Sequence, residues 1–172
     1  MLKVGLYLLL ILILKTNMNI NSQMTKLIDP NKKQRITNVT DVEIYNYLTK
    51  EKKLDRNKSL GILANIQAES NFKLDADEAG DGSKGIGLFQ HTFPTRKSGL
   101  LKNVPDYKNN WKGQVDYFLS EPEAKGYLKQ NFNSGNEAAE YLMNKNLRPA
   151  KELRLDRTQK HNAYIKKFLE KF

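Results

Sequence analysis

The chain has 172 residues, a net formal charge of +10, 39% hydrophobic residues and no cysteine. These values fit one compact domain and exclude a multispan membrane protein, a disulfide framework and any thiolate metal site or thiol nucleophile. The two histidines, His91 and His161, are too few for most histidine metal sites, and no short motif places either beside a nucleophile. We therefore predict neither a metal nor a cofactor.

The N-terminus differs in kind from the rest of the chain. Lys3 precedes an uninterrupted apolar run of 11 residues, 4–14, and Lys15 opens a polar stretch. A bilayer-spanning helix needs roughly 20 apolar residues, so this pattern favours an export signal over residues 1–22. A retained anchor formed by residues 3–15 and a buried core helix stay open as alternatives. We expect an exported chain, whether periplasmic, extracellular or virion-associated, with membrane contact only through this segment.

The folded domain is predicted over residues 40–172, after a polar linker at 23–39. Thr40-Asp41-Val42-Glu43 has the pattern of a capping box and predicts the first helix. A second helix is predicted from about Asn57 to Glu69. An acidic, glycine-rich stretch then predicts a loop or a small hairpin.

Helical periodicity resumes in the second half of the chain. Four further helices are predicted: Trp111–Leu119, one starting at Pro122, one capped by Ser134, and one from about Lys151. In the last helix, the predicted core face holds Leu153, Leu155, Tyr164, Ile165, Phe168 and Leu169, and His161 is placed on the exposed face. The fold class is thus a mostly α single domain with one acidic, glycine-rich excursion.

Glu69 is a candidate general acid. It follows Ile62 and Ile66 by seven and three residues, which places it on the apolar stripe of its helix. Burial there and the partial negative charge of the last helical turn would both raise the pKa of its carboxyl group. A carboxyl that stays protonated near neutral pH can donate a proton in catalysis. Periodicity alone also allows a half-exposed boundary residue beside the stripe.

Several short motifs occur in a recognisable order. Glu69-Ser70-Asn71-Phe72 is followed by Gly85-Ile86-Gly87-Leu88-Phe89-Gln90, then by His91, by Arg96 and by Trp111-Lys112-Gly113-Gln114. This set resembles the lysozyme-like superfamily of goose-type lysozymes and soluble lytic transglycosylases, and within it is most similar to the phage tail lysozyme domain. A late helix at Glu137–Leu142 and Arg148-Pro149 extend the resemblance to roughly residues 41–168.

The resemblance implies an α+β lysozyme-like fold with a small loop or hairpin beside the active-site cleft. It implies cleavage of the glycosidic bond between N-acetylmuramic acid and N-acetylglucosamine in peptidoglycan. Glu69 would be the general acid and Gln90 would line the glycan cleft. The peptidoglycan glycan strand is the expected partner, and the alternative is a non-catalytic wall-binding or structural module of the same fold.

Hydrolysis by two carboxyl groups needs a second one at roughly 5 to 9 Å from the acid. The candidates are Asp75, Asp77, Glu78 and Asp81. Asp81 is favoured because it lies among glycines and because its spacing is similar to that of an aspartate in goose-type lysozymes. These acids could also merely solvate a loop or bind a cation. Without a second carboxylate, one acid suffices for the internal cyclisation of lytic transglycosylases, although the chain has no Ala-Tyr-Asn-Ala-Gly-like segment.

The remaining candidates each have a structural alternative. Gly85 and Gly87 could allow close approach of a polymer to the backbone, or simply form a tight turn. Phe89 is either a stacking platform for a sugar or part of the core. His91 is either a polar residue lining the cleft or a structural histidine.

The charge also bears on partners. A chain without residues 1–22 loses Lys3 and Lys15 and would keep a charge of +8, which attracts the anionic bacterial envelope. The basic clusters, Lys50–Lys53, Lys166-Lys167 and Lys32–Arg35, are typical of solvated helix faces and tails, and no nucleic-acid-binding motif accompanies them. We expect a monomer that does not bind nucleic acid.

Overall fold

A computed structural model describes residues 38–77, 84–147 and 154–172. The chain divides into two units, Met1–Arg35 and Ile36–Phe172, and the described residues all lie in the second. The predicted export signal therefore lies outside the described residues, as does nearly all of the predicted linker. Within the described ranges, no helix combines the length and apolar character needed to cross a bilayer.

The fold is mostly helical, as the sequence predicts. The α-helices of the described residues are α1 (Asp41–Asn46), α2 (Arg56–Ser70), α3 (Pro94–Asn103), α4 (Trp111–Ser120), α5 (Pro122–Leu128), α6 (Gly135–Leu142) and α7 (Arg154–Lys171). Single π-helical segments extend α1 over Tyr47–Glu51 and α6 over Met143–Leu147, and a 3₁₀ turn spans Tyr107–Asn109. In this part of the chain, β-structure is limited to isolated antiparallel bridges, Asn38 to Lys73, Asp77 to Ile86 and Ile86 to His91.

Capping residues fix several helix starts. The predicted capping box of α1 is confirmed, because Thr40 Oγ1 accepts a hydrogen bond from Glu43 N at 3.2 Å and the Glu43 carboxylate accepts one from Thr40 N at 2.9 Å. The Asp55 carboxylate caps α2 by accepting from Lys58 N at 2.8 Å. These bonds satisfy backbone donors that a helix start would otherwise leave unpaired.

Helix α2 is the central helix. The sequence predicts one apolar stripe, but α2 is buried on several faces from Lys58 to Ile66, because α6, α7 and α1 pack around it. Gly61 allows the closest of these approaches, since a Cβ there would lie 2.8 Å from the Ala138 Cβ and 2.9 Å from its backbone carbon. The Tyr127 hydroxyl, fully buried, donates to Lys58 O at 2.6 Å and ties α5 to the same helix.

Helix α3 was not predicted. It starts at Pro94, a residue favoured at the first helical position, but its leucines make too short a repeat to stand out. It covers a second, smaller core formed by Ile86, Leu100, Val104 and Tyr107.

In α7 the predicted core face is partly wrong. Ile165 and Phe168 are buried, whereas Leu155 and Leu169 are 71% and 47% exposed. His161, predicted on the exposed face, is 2% exposed. It lies one turn before Ile165 and two turns before Phe168, so it belongs to the face that packs against α2.

Candidate active site

Glu69 lies in the last turn of α2, where the chain reverses sharply. Asn71 caps the helix in the left-handed conformation at φ 50°, and Phe72 follows at φ 62°. Asn tolerates this conformation better than most residues, and the Gln67 side-chain amide donates to the Asn71 side-chain oxygen. The Phe72 ring packs edge-on against Phe168 with ring centres 6.5 Å apart, which anchors the reversal to α7.

A cleft of about 800 Å³ opens beside this helix end. Its lining comes from four parts of the chain: residues 67–71 at the end of α2, the following loop, the segment from Gly85 to Arg96, and Arg157 of α7. Apart from Ala68, Ala76, Gly85 and Phe93, the lining side chains are polar or charged. A cleft of this size with several convergent polar groups is a candidate ligand-binding site.

The Glu69 carboxylate is nearly buried and forms an ion pair with Arg157. Its side chain is 11% exposed, that of Arg157 is 31% exposed, and Arg157 Nη1 donates to Glu69 Oε1. The predicted placement of Glu69 on the inner side of its helix agrees with this exposure. Arg157 was missed because it lies 88 residues away in sequence. Its position eight residues, about two helical turns, before the predicted core residue Ile165 is the signal that places it on the inner face of α7.

Gln90 also lines the cleft, in a conformation fixed by its own hydrogen bonds. It has a positive φ of 44°, and its side-chain amide donates to Gly87 O at 3.0 Å and Ala76 O at 3.3 Å. A Cβ on Gly85 would lie 2.7 Å from the Gln90 side-chain oxygen and 2.9 Å from its backbone oxygen. Gly85 is therefore needed for its close approach to Gln90, and the bond from Gln90 to Ala76 O joins this segment to the loop that follows α2.

The other predicted binding residues lie behind the cleft lining. Phe89 is 1% exposed and stacks on Phe118 with ring centres 3.9 Å apart, so its ring belongs to the core rather than to a sugar platform. Gly87 adopts φ 73°, and a Cβ there would lie 2.5 Å from the Gln114 side-chain oxygen, which identifies it as a turn glycine. His91 is fully buried and corresponds to the structural alternative.

His91 belongs to a buried charged group behind the cleft. Arg96 donates to both carboxylate oxygens of Glu121, at 2.6 and 2.5 Å, and His91 Nε2 lies 3.4 Å from the same carboxylate. Burial alone would raise the pKa of Glu121, but the hydrogen bonds from Arg96 and the proximity of His91 outweigh burial and leave its pKa below the usual value. Since Arg96 also lines the cleft, this group fixes the wall on that side.

Gln114 joins the cleft loop to α4. Its side-chain oxygen accepts from Leu88 N at 2.7 Å, and its side-chain amide donates to Leu74 O at 2.9 Å and Tyr107 O at 2.6 Å. Gln114 is fully buried, so all three bonds are shielded from water. This glutamine of the Trp-x-x-Gln motif therefore connects Leu88, two residues before Gln90, to the loop after α2 and to the turn before α4.

Two of the candidate second carboxylates, Asp75 and Asp77, line the cleft with Glu69. Their negative charges, after burial, contribute to raising the pKa of Tyr107 behind them. Asp81, the favoured candidate, and Glu78 lie outside the described residues. Among the residues that the structure describes, there is no cluster of three or more His, Asp or Glu that could hold a metal ion.

His161, next to Arg157 on α7, makes the fold sensitive to acid. Burial, with a smaller contribution from the Arg157 charge, lowers its pKa from 6.5 to about 4. Both ring nitrogens are buried without a hydrogen-bond partner among the described residues. Between pH 6.5 and 4 the unfolded chain therefore binds a proton that the folded chain excludes, and the free energy of unfolding falls as the pH drops.

We expect His161→Leu to flatten the pH dependence of stability. As the pH falls from 6.5 to 4, the free energy of unfolding of the wild type should fall by up to about 3 kcal/mol more than that of the variant. The reason is that leucine binds no proton in either the folded or the unfolded state. Urea denaturation at a series of pH values measures this difference. If the free energy of unfolding changed with pH in the same way for both proteins, His161 would not be the cause of the acid sensitivity.

The sequence matches a known protein family. The family model for phage tail lysozyme matches residues 39–172, which includes the whole described cleft. No curated protein matches the chain significantly.

Proposed function

Since the chain belongs to the phage tail lysozyme family, we propose that it cleaves the glycan strand of peptidoglycan with Glu69 as the general acid. The observation that carries the proposal is the position of the Glu69 carboxyl group, 11% exposed and lining the cleft at the end of the central helix. The bond cut is the glycosidic bond from N-acetylmuramic acid to N-acetylglucosamine.

The chemistry requires one proton donor at the scissile bond. Glu69 protonates the glycosidic oxygen as the bond from C1 to that oxygen breaks, and the muramic acid ring develops oxocarbenium character. Glu69 is then a carboxylate. It takes a proton back from the group that attacks C1, which is water in a lysozyme and the sugar's own 6-hydroxyl in a lytic transglycosylase. The second route gives a 1,6-anhydro end and needs no second carboxylate.

Asp75 and Asp77 are the described candidates for a second carboxylate, and Asp81 remains the candidate outside the described residues. Both described aspartates line the same cleft as Glu69, which keeps each of them as a candidate for the second carboxyl group. Asp→Asn variants at positions 75, 77 and 81, made one at a time, test these candidates. The second carboxyl group belongs to the residue whose substitution reduces turnover while the protein stays folded.

Peptide-free glycan strands provide the test of the proposed function. The purified protein should shorten such strands, as measured by size-exclusion chromatography, because the bond that it cuts lies in the glycan backbone. An enzyme that cuts peptide cross-links finds no substrate in this material. Unchanged strand length with folded protein contradicts the proposal and favours the wall-binding module.

Arg157 should set the pH range over which Glu69 acts. A guanidinium beside a carboxylate stabilises its charged form, whereas a general acid must be protonated. In Arg157→Met the protonated form persists to higher pH, so we expect the alkaline limb of the rate profile for glycan cleavage to move to higher pH.

Arg157→Lys is the matched control for this prediction. It keeps a positive charge beside Glu69, so its alkaline limb should stay closer to that of the wild type. Rate profiles of all three proteins on the same glycan strands provide the measurement. An alkaline limb that is unchanged in Arg157→Met would exclude this role for Arg157.

A further inference from the structure

Phe93 is an apolar ring in a predominantly polar cleft. Its side chain is 54% exposed and lines the same cleft as Glu69. Among the described residues, every other phenylalanine, tyrosine and tryptophan is buried or half-buried. Single exposed apolar side chains are common on protein surfaces, but this ring lies in the wall of a cleft, where a bound ligand can cover it.

The backbone that carries Phe93 is held firmly on both sides. Before it, His91 is fully buried and its backbone N–H donates to Ile86 O at 3.0 Å. After it, Lys97 N donates to Phe93 O at 2.9 Å in the first turn of α3, and Arg96 is bonded to the buried Glu121. The ring is thus presented at a fixed place in the cleft wall, which lowers the entropy lost on binding.

On this basis we propose that Phe93 is a stacking platform for one N-acetylated pyranose of the glycan strand. This inference rests on the proposed function and names a sugar subsite within it. In a β-linked glucosamine ring the substituents are equatorial, so each face presents axial C–H bonds and is apolar, while the rim is polar. Phe93 covers one such face, and the surrounding polar groups, among them Thr92 and Gln90, can bond to the rim.

Phe93 fills the role that sequence reasoning considered for Phe89. Both are phenylalanines near Gln90, but Phe89 is stacked on Phe118 in the core. The Phe93 ring binds substrate without taking part in proton transfer. Its removal should therefore raise KM and weaken binding while leaving kcat at saturating substrate nearly unchanged.

Binding of peptide-free glycan strands to the full chain tests the platform. The parent protein is Glu69→Gln, which retains the cleft but should not cut the strand. Adding Phe93→Ala should weaken binding by about 3- to 10-fold, the range measured for contacts between aromatic rings. Leu101→Ala is the matched control, because Leu101 is 45% exposed on α3, the helix that begins directly after Phe93, and is not part of the described cleft lining. Isothermal titration calorimetry measures all three affinities.

A tryptophan at the same position gives a second readout. Phe93→Trp keeps an aromatic face and should restore affinity, and its fluorescence should change on binding beyond the signal from Trp111, the one tryptophan of the chain. Equal affinities of the Phe93→Ala and Leu101→Ala proteins, or no binding by the parent, would overturn the platform. Shortening of glycan strands by the wild-type protein reports separately on the proposed function, so the two failures are distinguishable.

Discussion

Glu69→Gln should reduce glycan cleavage by about 10²- to 10⁴-fold, the usual contribution of a general acid. Glutamine has the shape of glutamate but no acidic proton, so the leaving oxygen would depart as an unprotonated alkoxide. The fold should be retained, because the side chain keeps its volume and Arg157, 31% exposed, can be solvated. The measurement is the initial rate of strand shortening beside a circular dichroism spectrum of each protein.

Glu140→Gln is the matched control for this substitution. Glu140 is an exposed glutamate on α6 and is not part of the described cleft lining, so its loss should leave the cleavage rate unchanged. The wall-binding alternative predicts the same rate of strand shortening for the wild type, Glu69→Gln and Glu140→Gln. A Glu69→Gln protein that cuts glycan at the wild-type rate would remove Glu69 from the reaction.

Gln114→Met should destabilise the protein by several kcal/mol. Methionine fills a similar volume but leaves Leu88 N, Leu74 O and Tyr107 O without the bonds that Gln114 makes. Tyr107 O keeps the bond from Asn110 N at 3.2 Å, whereas Leu88 N and Leu74 O each lose a buried partner, at a cost of about 1–3 kcal/mol per group. The loss falls on the segment that carries Gln90, so glycan binding should weaken even at temperatures where the protein remains folded.

Urea denaturation and hydrogen exchange together test this prediction. Exchange of the Leu88 amide should accelerate, because within the described part of the chain Gln114 is the acceptor of that N–H. Gln130→Met serves as control, since Gln130 is exposed and its side-chain bond to Gly126 O is 3.3 Å long. Equal stability of Gln114→Met and Gln130→Met would contradict the role given to Gln114.

Local sequence patterns predicted helix starts well where the start depends on residues that are close together in sequence. The Thr40 capping box and the helix start at Pro122 are both confirmed. The Glu121 side chain, at the N-cap position of this helix, makes no capping hydrogen bond, and its carboxylate bonds Arg96 instead. That ion pair depends on long-range packing, which the local pattern does not encode.

The candidate site was predictable only in part, because a cleft is made by distant segments. The approximate position of Glu69 followed from its spacing within one helix. Its pairing with Arg157 depends on how α7 packs against α2, which no local pattern encodes. The choice between Phe89 and Phe93 likewise depends on which ring meets Phe118, and neighbouring residues in an irregular segment give no periodicity to decide it.

The most direct test is mass spectrometry of the fragments that the protein releases from intact peptidoglycan, run beside Glu69→Gln. We predict disaccharide-containing muropeptides that end in N-acetylmuramic acid, either reducing or 1,6-anhydro, from the wild type and almost none from the variant. The reducing form indicates attack by water, and the anhydro form indicates attack by the sugar's own hydroxyl. Fragments produced by peptide-bond cleavage, or equal release by both proteins, would contradict glycan cleavage by Glu69.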